Sequence, residues 1–306
     1  MGTGQRVRQQ TEILRNHSPD KGTPHGTAQA REAGRVGQQR TPETLPAQAA
    51  GKQIQNVTTY HVGPPKRPEI KWDNGFLQNN PPREPTLVEQ ASLLKWRAIL
   101  EGAEAFAPHL SDATAAYRHF LYGHGRPRTC SYERYVLNDA SGRITLHNAI
   151  LSIQWGVMQL WKAFHRQSFR LTSNSAIKCG VQSSTMFPYP ATENWQKAIG
   201  YHVIWLSGNV RVTQNSAAPS FHLDMTLHAE DRYNFNPDAE DIATGTKDAV
   251  NGLFELTGQA HGYTNTSTLH RSISWVGNRL GNATLQGTPQ SRVRQPQDNL
   301  RVRNRI

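Results

Sequence analysis

The sequence predicts an α+β protein in which a helical half precedes an antiparallel, β-rich half. Two changes of pattern carry this prediction. Apolar residues recur every three to four positions between residues 86 and 170, as on one face of a helix, whereas between 171 and 280 they alternate with polar residues, as along a strand. Residues 1–58 and 281–306 show neither period, so we expect a disordered basic arm and a basic tail around the folded body.

The composition agrees with a folded body that carries unpacked ends. In a chain of 306 residues, 36% are hydrophobic and the mean hydropathy is −0.67, which is low for a chain packed throughout. The net charge of +11 is concentrated at the ends: residues 1–58 carry eight Lys and Arg against four acids, and residues 292–306 carry five Arg against one acid. Contact with nucleic acid or with an acidic protein would therefore use these tails, although solvated ends have the same composition.

Cysteine usage and hydropathy bear on the compartment. The two cysteines, Cys130 and Cys179, leave disulfide pairing open, and their spacing fits no metal motif. The first residues lack the apolar core of a signal peptide, and no run of about eighteen apolar residues occurs. We therefore expect a soluble protein without a transmembrane segment, secreted or injected, if at all, by a route without a cleaved signal peptide.

The first elements lie between the arm and the middle of the chain. Residues 59–85, which are rich in proline, predict an extended segment pinned to the body by Trp72 and Phe76. Thr86 predicts a helix N-cap, with Glu89 as its capping-box partner. The helix that follows carries a predicted apolar stripe of Leu87, Ala91, Leu94, Trp96 and Ile99.

Two more helices complete the helical half. One begins near Asp112 and ends at Gly123. The other keeps the 3.6-residue period over about five turns, which predicts a core-facing helix. Its apolar positions are Leu146, Ile150, Ile153, Val157, Leu160, Trp161 and Phe164.

The β-rich half begins after Leu171. Tyr201 to Val212 predicts a strand pair or bent strand interrupted at Gly208-Asn209, with a bulge as the alternative. Strict alternation over residues 221–228 predicts a half-buried strand. A short helix from about residue 248 to 256 and a last strand over residues 268–275 follow.

The polar face of the strand at 221–228 is a first candidate site. His222, Asp224, Thr226 and His228 share this face, so an imidazole neighbours a carboxylate. Such a pair fits a divalent metal or acid–base chemistry, because imidazole titrates near neutrality. A solvated strand face has the same pattern, so both interpretations stay open.

Two loops offer further candidates. In residues 230–241 the oxygen-bearing side chains of Asn234, Asn236, Asp238 and Glu240 alternate, as in a loose cation site, although Pro237 favours an ordinary turn. The Gly123-His124-Gly125 turn is followed by Arg126 and Arg128. Exposed amides beside guanidinium groups suit phosphate oxygens, and glycines at a helix end also serve as a stop signal.

These motifs resemble the catalytic domain of the colicin M family of lipid II-degrading bacteriocins, over about residues 111–276. Tyr117 to Gly125 followed by Arg128 resembles the family's first element, a helix that ends in a glycine turn before an arginine. Asp231 and Tyr233 resemble the start of its signature. The chain departs from that signature further on, since Asn234 stands in place of a second Asp, and Glu240 and Asp241 stand in place of His and Arg.

The resemblance implies an antibacterial toxin with a metal-dependent phosphodiesterase activity on a lipid-linked diphosphate, assisted by Mg²⁺ or Ca²⁺. It implies a catalytic set of Asp231, Tyr233, Asn234 and Arg128, in which Asp231 is the carboxylate or metal ligand, Tyr233 an orienting hydroxyl and Arg128 a phosphate clamp. Asp224 and His222 join Asp231 as candidate metal ligands. His222, His228, His261 and Arg128 are candidates to replace the missing His and Arg.

A second interpretation belongs to another class of function. Replacement of His and Arg by two acids would repel a diphosphate. A catalytically inactive colicin M-like fold, used as a binding or structural protein with basic arms on nucleic acid or an acidic partner, explains these departures directly. The sequence leaves enzyme and binding protein open.

Overall fold

The computed structural model describes residues 57–181, 184–236, 249–281 and 284–286. Most of the predicted arm, the acidic positions Asp238, Glu240 and Asp241, and most of the predicted tail lie outside these residues. The predictions made for them stay predictions.

The described residues form helices first and then mainly strands, which confirms the α+β class. The helices are α1 (Leu87–Phe106), α2 (Ser111–Tyr122), α3 (Tyr132–Asn138), α4 (Ala140–Phe164), α5 (Glu193–Ala198) and α6 (Ala249–Leu256), with 3₁₀ turns at Gly75–Gln78 and Pro108–Leu110. The strands are β1 (Tyr60–Val62), β2 (Arg128–Thr129), β3 (Ser168–Ser173), β4 (Ile177–Cys179), β5 (His202–Thr213), β6 (Ser220–Tyr233), β7 (Tyr263–Val276) and β8 (Thr284–Gln286).

The described strands make one mixed sheet. Its order is β1-β3-β5-β6-β7-β2, with β4 added to β5 and β8 added to β7. The pairs are antiparallel as predicted, apart from β2, which runs parallel to β7. The long β5-β6-β7 meander forms its centre and carries the candidate site at one end.

The alternation of β6 sorts its side chains between two faces. Phe221, Leu223, Met225 and Leu227 are almost fully buried against the core that α4 covers, whereas His222 and its alternating neighbours are only partly covered on the other face. The predicted half-buried strand is therefore confirmed. It extends further than predicted, because the ladder with β7 continues to Tyr233.

The predicted interruption at Gly208-Asn209 is wrong. β5 passes through both residues, and Gly208 pairs with Met225 while Asn209 pairs with Asp224. A Cβ atom at Gly208 would lie 2.5 Å from Cδ1 of Leu223 and 3.0 Å from the carbonyl oxygen of Asp224. Gly208 therefore makes room for a neighbouring side chain and does not mark a turn.

Helix α1 has the predicted start but a different buried face. Thr86 and Glu89 form the capping box, which confirms that prediction. The predicted stripe is wrong for Leu87 and Leu94, which are 82% and 64% exposed, while Leu93 and Leu100 are buried in their place. Trp96 is the member of the stripe that packs against the core. Apolar residues occur on two faces of α1, and only one of these faces meets the second hydrophobic cluster around α2 and α6.

The longest helix, α4, begins earlier than the apolar period indicated. Asp139 caps it through its carboxylate, which accepts hydrogen bonds from the amides of Ser141 (2.8 Å) and Gly142 (3.4 Å). The same carboxylate accepts from the amide and hydroxyl of Thr192, at 2.8 and 2.7 Å. This buried side chain therefore joins α4 to the loop before α5. The short helix α3 precedes it and was missed, because seven residues are too few to show a period.

The extended segment after β1 lies over the polar face of the sheet. Arg67 and the indole N–H of Trp72 donate to the carboxylate of Glu230, and Phe76 is buried where Gly252 of α6 leaves room for its ring. Both aromatics named from the sequence thus contact the body. Cys130 and Cys179 are both free thiols. In the part of the chain that the structure describes, no helix combines the length and the hydropathy needed to cross a bilayer.

Candidate functional site

Asp231 lies within β6, two positions before Tyr233, and its side chain is on the buried face. It is opposite Asn265 of β7, whose amide nitrogen donates to Oδ2 of Asp231 at 3.3 Å. On the other side of β7, Arg128 of β2 is paired with the same Asn265. Its Nη1 donates to Oδ1 of Asn265 at 3.2 Å. The structure therefore brings Asp231 and Arg128 together, with Asn265 between them.

Asn265 was missed by sequence reasoning. It is 1% exposed and its amide also donates to the carbonyl of Ala198 at 3.2 Å. In the sequence it stands in a run of Thr, Asn and Ser that gives no indication of burial. A polar strand residue becomes recognisable as a site residue only once the register is known.

Burial dominates the electrostatics of Asp231. The low-dielectric surroundings raise the pKa of its carboxyl well above the usual range, against the opposing effects of the Asn265 hydrogen bond and of Arg232 and Arg128. The carboxyl group therefore keeps its proton at pH values where an exposed Asp is ionised. In this state Asp231 is a proton donor, as buried carboxylic acids in some active sites are.

A histidine that was not named from the sequence lines the same small cavity as Asp231. The cavity measures about 10 Å³, enough for one water at most, and His202, Tyr132 and Cys130 also border it. His202 Nδ1 donates to the carbonyl of Gly200 at 3.0 Å, so Nε2 accepts from the hydroxyl of Tyr132 at 2.9 Å. Burial lowers the pKa of His202 to about 4, which keeps the imidazole neutral.

Tyr233 is the last residue of β6, and its ring stacks on that of Tyr263 with centroids 5.0 Å apart. Burial raises the pKa of its hydroxyl well above the usual value. Asn234 follows the strand and is occupied elsewhere, since its amide donates to Oδ1 of Asp73 at 2.9 Å. Of the predicted catalytic set, the structure thus joins Asp231 with Arg128, puts Tyr233 in the adjoining aromatic stack, and uses Asn234 to hold Asp73.

The three predicted metal ligands do not come together. Asp224 and His222 project from the opposite face of β6 to Asp231, and seven residues of strand separate Asp224 from Asp231 by roughly 23 Å. His222 Nε2 lies 3.3 Å from Asp224 Oδ1, and Ser272 donates to that same oxygen at 2.7 Å. Nowhere in the described ranges do three or more His, Cys, Asp or Glu side chains form a group able to hold a metal ion.

The residues around Asp231 also do not fit Mg²⁺ or Ca²⁺. These ions need several oxygen ligands. The raised pKa of Asp231 disfavours the ionised form that a cation needs, and the Asn265 oxygen accepts a hydrogen bond from Arg128. Arg128 and Arg232 add positive charge close by. We therefore derive no step through a resident metal ion.

An open cleft of about 430 Å³ lies beside this group. It is formed by the end of α1, the 3₁₀ turn at Pro108–Leu110 and α2, and Arg118, His119 and Arg128 supply its basic lining. Glu104 neutralises Arg118 by a salt bridge. Arg128, which lines the cleft and also bonds Asn265, connects the cleft with the buried Asp231.

The Gly123-His124-Gly125 turn ends α2 and leads to Arg128. The amide of Gly123 closes the last turn of the helix onto the carbonyl of His119, and His124 and Gly125 have φ values of 52° and 71°. His119 Nε2 donates to the carbonyl of Arg126 at 2.7 Å. The turn is therefore a helix stop that fixes the course of the chain to Arg128.

Of the histidines considered as replacements, none lines the cavity at Asp231. His222 and His228 lie on the opposite face of β6, and His228 stacks on Trp205 with centroids 3.6 Å apart. His261 lies in the loop before β7, with its ring 6.1 Å from that of His124.

Comparisons with known proteins give one weak likeness. No protein-family model matches this chain, and no curated protein matches it. Among solved structures, similarity is found to PaeM, a colicin M-like bacteriocin produced by Pseudomonas aeruginosa, at 13% sequence identity and a TM-score of 0.36. The match covers 55% of this chain and 52% of PaeM, so the chain spans about half the length of that protein.

Proposed function

We propose that this chain is an antibacterial toxin or effector that hydrolyses a phosphodiester bond in a lipid-linked diphosphate. One observation carries the proposal. Arg128 and Asp231, which belong to two motifs about a hundred residues apart, share Asn265 as a hydrogen-bond partner beside an open basic cleft. The substrate class comes from the resemblance of the two motifs to colicin M.

In the proposed reaction Arg128 binds the phosphate. Its guanidinium group lines the cleft, and Arg118 and His119 lie along the same wall. A guanidinium held at this position would stabilise the negative charge that builds up on phosphate oxygens in the transition state. Arg128 is therefore the residue expected to set both binding and rate.

Asp231 is proposed to act as the acid. Water adds to phosphorus, the bond to the leaving oxygen breaks, and Asp231 supplies that oxygen with a proton, which the attacking water restores. The raised pKa of Asp231 supports this role, because the carboxyl group holds its proton at pH values at which an exposed Asp is ionised. The cavity that Asp231 and Asn265 line is too small for a phosphate group, so the proposed reaction also requires these strand ends to open toward the cleft.

The test is hydrolysis of lipid II by the purified full chain, with Mg²⁺, with Ca²⁺ and with a chelator. We expect Asp231→Asn to reduce turnover by roughly 10²- to 10⁴-fold and Arg128→Ala by about 10²- to 10³-fold. Arg170→Ala is the matched control, because Arg170 is an exposed arginine of β3 outside the cleft. Absence of cleavage under all three conditions, or full activity of Asp231→Asn, would reject the proposed reaction.

A specific observation favours the binding protein as a second candidate. Asn234, at a position where the family carries a carboxylate, holds Asp73 and does not reach Asp231. A protein that keeps the fold and has lost the reaction would bind nucleic acid or an acidic partner through its basic ends.

Salt dependence of binding tests this second candidate. Removal of residues 1–56 and 292–306 spares Thr58, whose hydroxyl donates to the carbonyl of Ser175 at 3.2 Å. We expect this truncation to abolish binding of a nucleic-acid duplex and its salt dependence. Binding unchanged by truncation would count against contact through the ends.

A further inference from the structure

Glu255 is a buried carboxyl group between the ends of β6 and β7. It belongs to α6 and is 6% exposed. The backbone amides of Phe235 and Gly262 favour the ionised form of its carboxyl group, while Oε2 has no hydrogen-bond partner. Oε1 is the oxygen that lies against Gly262.

These two amides belong to the strand ends that hold the candidate site. Phe235 follows Tyr233 by two residues, and Gly262 directly precedes Tyr263 at the start of β7. Tyr233 and Tyr263 stack on each other, and Asn265 lies two residues further along β7. A shift of Oε1 would therefore move both sides of this stack.

Gly262 fits closely against Glu255. A Cβ atom at Gly262 would overlap Oε1 of Glu255 and would lie 3.0 Å from the carbonyl oxygen of Tyr233. On its other side, a Cβ atom at Gly125 would lie 3.6 Å from the carbonyl oxygen of Gly262. Gly262 thus lies between Glu255 and the turn that leads to Arg128.

Charged and titratable groups approach Glu255 from the surrounding elements. Arg232 on β6 attracts the carboxylate, and Asp73, from the segment before the first 3₁₀ turn, repels it. His261 precedes Gly262 in the loop. Burial is the largest influence and raises the pKa of Glu255 to about 7.

We propose that Glu255 is a positioning residue whose carboxylate, through the Phe235 and Gly262 amides, fixes the strand ends that carry Tyr233, Tyr263 and Asn265. Ionisation strengthens its hold on both amides and on Arg232, and protonation weakens it. An influence of Glu255 on hydrolysis rests on the proposed function. The influence on the strand ends does not.

The direct test follows the backbone amide resonances of Phe235 and Gly262 in the isotope-labelled full chain from about pH 5 to about pH 9. We expect both resonances to titrate together with a midpoint of about 7 in the wild type. Glu255→Gln should abolish the shared titration, and Glu255→Asp, which keeps a carboxyl group, should retain one.

His261→Asn is the control, because it removes the neighbouring imidazole and must leave the titration in place. The proposal is overturned if the two amides lack a common midpoint, or if the titration persists in Glu255→Gln or vanishes in His261→Asn. Should Glu255→Gln fail to fold, the wild type, Glu255→Asp and His261→Asn still decide.

An activity measurement separates this proposal from the proposed function. If lipid II is hydrolysed, the wild-type pH profile should show an inflection near 7 that Glu255→Gln lacks. Shared titration of the amides without hydrolysis would leave the positioning role intact and reject the reaction. Hydrolysis with the same inflection in Glu255→Gln would contradict the effect of Glu255 on catalysis.

Discussion

Replacement of Glu255 by glutamine should change how the stability of this protein depends on pH. The pKa of Glu255 is raised from 4.5 to about 7, with burial as the main cause. The folded state therefore binds this proton more tightly than the unfolded state does. The stabilising contribution is complete below about pH 4.5 and is lost as the pH rises to about 7.

The size of this effect follows from the two pKa values. A pKa of about 7 in place of 4.5 corresponds to roughly 3 kcal/mol of unfolding free energy across this window, since one pKa unit is about 1.4 kcal/mol. Glutamine has no proton to lose, so the variant should not show this loss. Between pH 4.5 and pH 8, the unfolding free energy of Glu255→Gln should therefore rise by about 3 kcal/mol relative to that of the wild type.

Urea denaturation of both proteins at a series of pH values measures this difference. The test uses only how the difference in unfolding free energy between the two proteins changes with pH. A cost of the substitution that is the same at every pH therefore does not affect the result. The contributions of Asp231 and of the neutral His202 occur in both proteins and cancel as well. The reasoning is refuted if the unfolding free energy of Glu255→Gln, relative to that of the wild type, stays constant or falls between pH 4.5 and pH 8.

Three further predictions concern stability. Asp139→Ala should lower the unfolding free energy by about 3 to 5 kcal/mol, because the carboxylate accepts hydrogen bonds from both α4 and the loop before α5. Asp139→Asn should lower it by less, and urea denaturation midpoints measure both effects. Gly252→Ala should cost about 1 to 3 kcal/mol, since its Cβ would overlap the ring of Phe76, and a double-mutant cycle with Phe76→Ala should show a smaller cost. Asp231→Asn should become more stable relative to the wild type as the pH rises above the usual Asp range, because the buried carboxyl then no longer has to ionise; a difference independent of pH would contradict this.

Local patterns in the sequence were sufficient for the class of the fold and for several elements. The capping box of Thr86 and Glu89, the long period of α4 and the alternation along β6 each depend on residues close together in the chain. The buried face of α1 could not be found in this way, because its two apolar faces differ only in what packs against them. The predicted interruption at Gly208 was wrong for a similar reason. Gly208 makes room for Leu223, which lies on another strand and cannot be identified from the local sequence.

The candidate site was predictable only in part. Arg128 and Asp231 were named because their motifs resemble a family, and their proximity depends on the pairing of β2, β6 and β7, which no local pattern specifies. Asn265 and Glu255 were missed because neither stands in a motif. Their burial and their partners, which follow from the register of the strands and the docking of α6, are what distinguish them.

The parallel pairing of β2 gives the site its electrostatic character. β7 lies between antiparallel β6 and parallel β2, so Asp231 and Arg128 meet the same residue, Asn265, from opposite sides. An amide side chain both donates and accepts, and can therefore satisfy a carboxyl group and a guanidinium group at once. Direct contact of Arg128 with Asp231 would have favoured an ion pair, which would hold the carboxyl group ionised and occupy the positive charge. With Asn265 between them, Asp231 keeps its proton, and the charge of Arg128 remains available to an anion in the cleft.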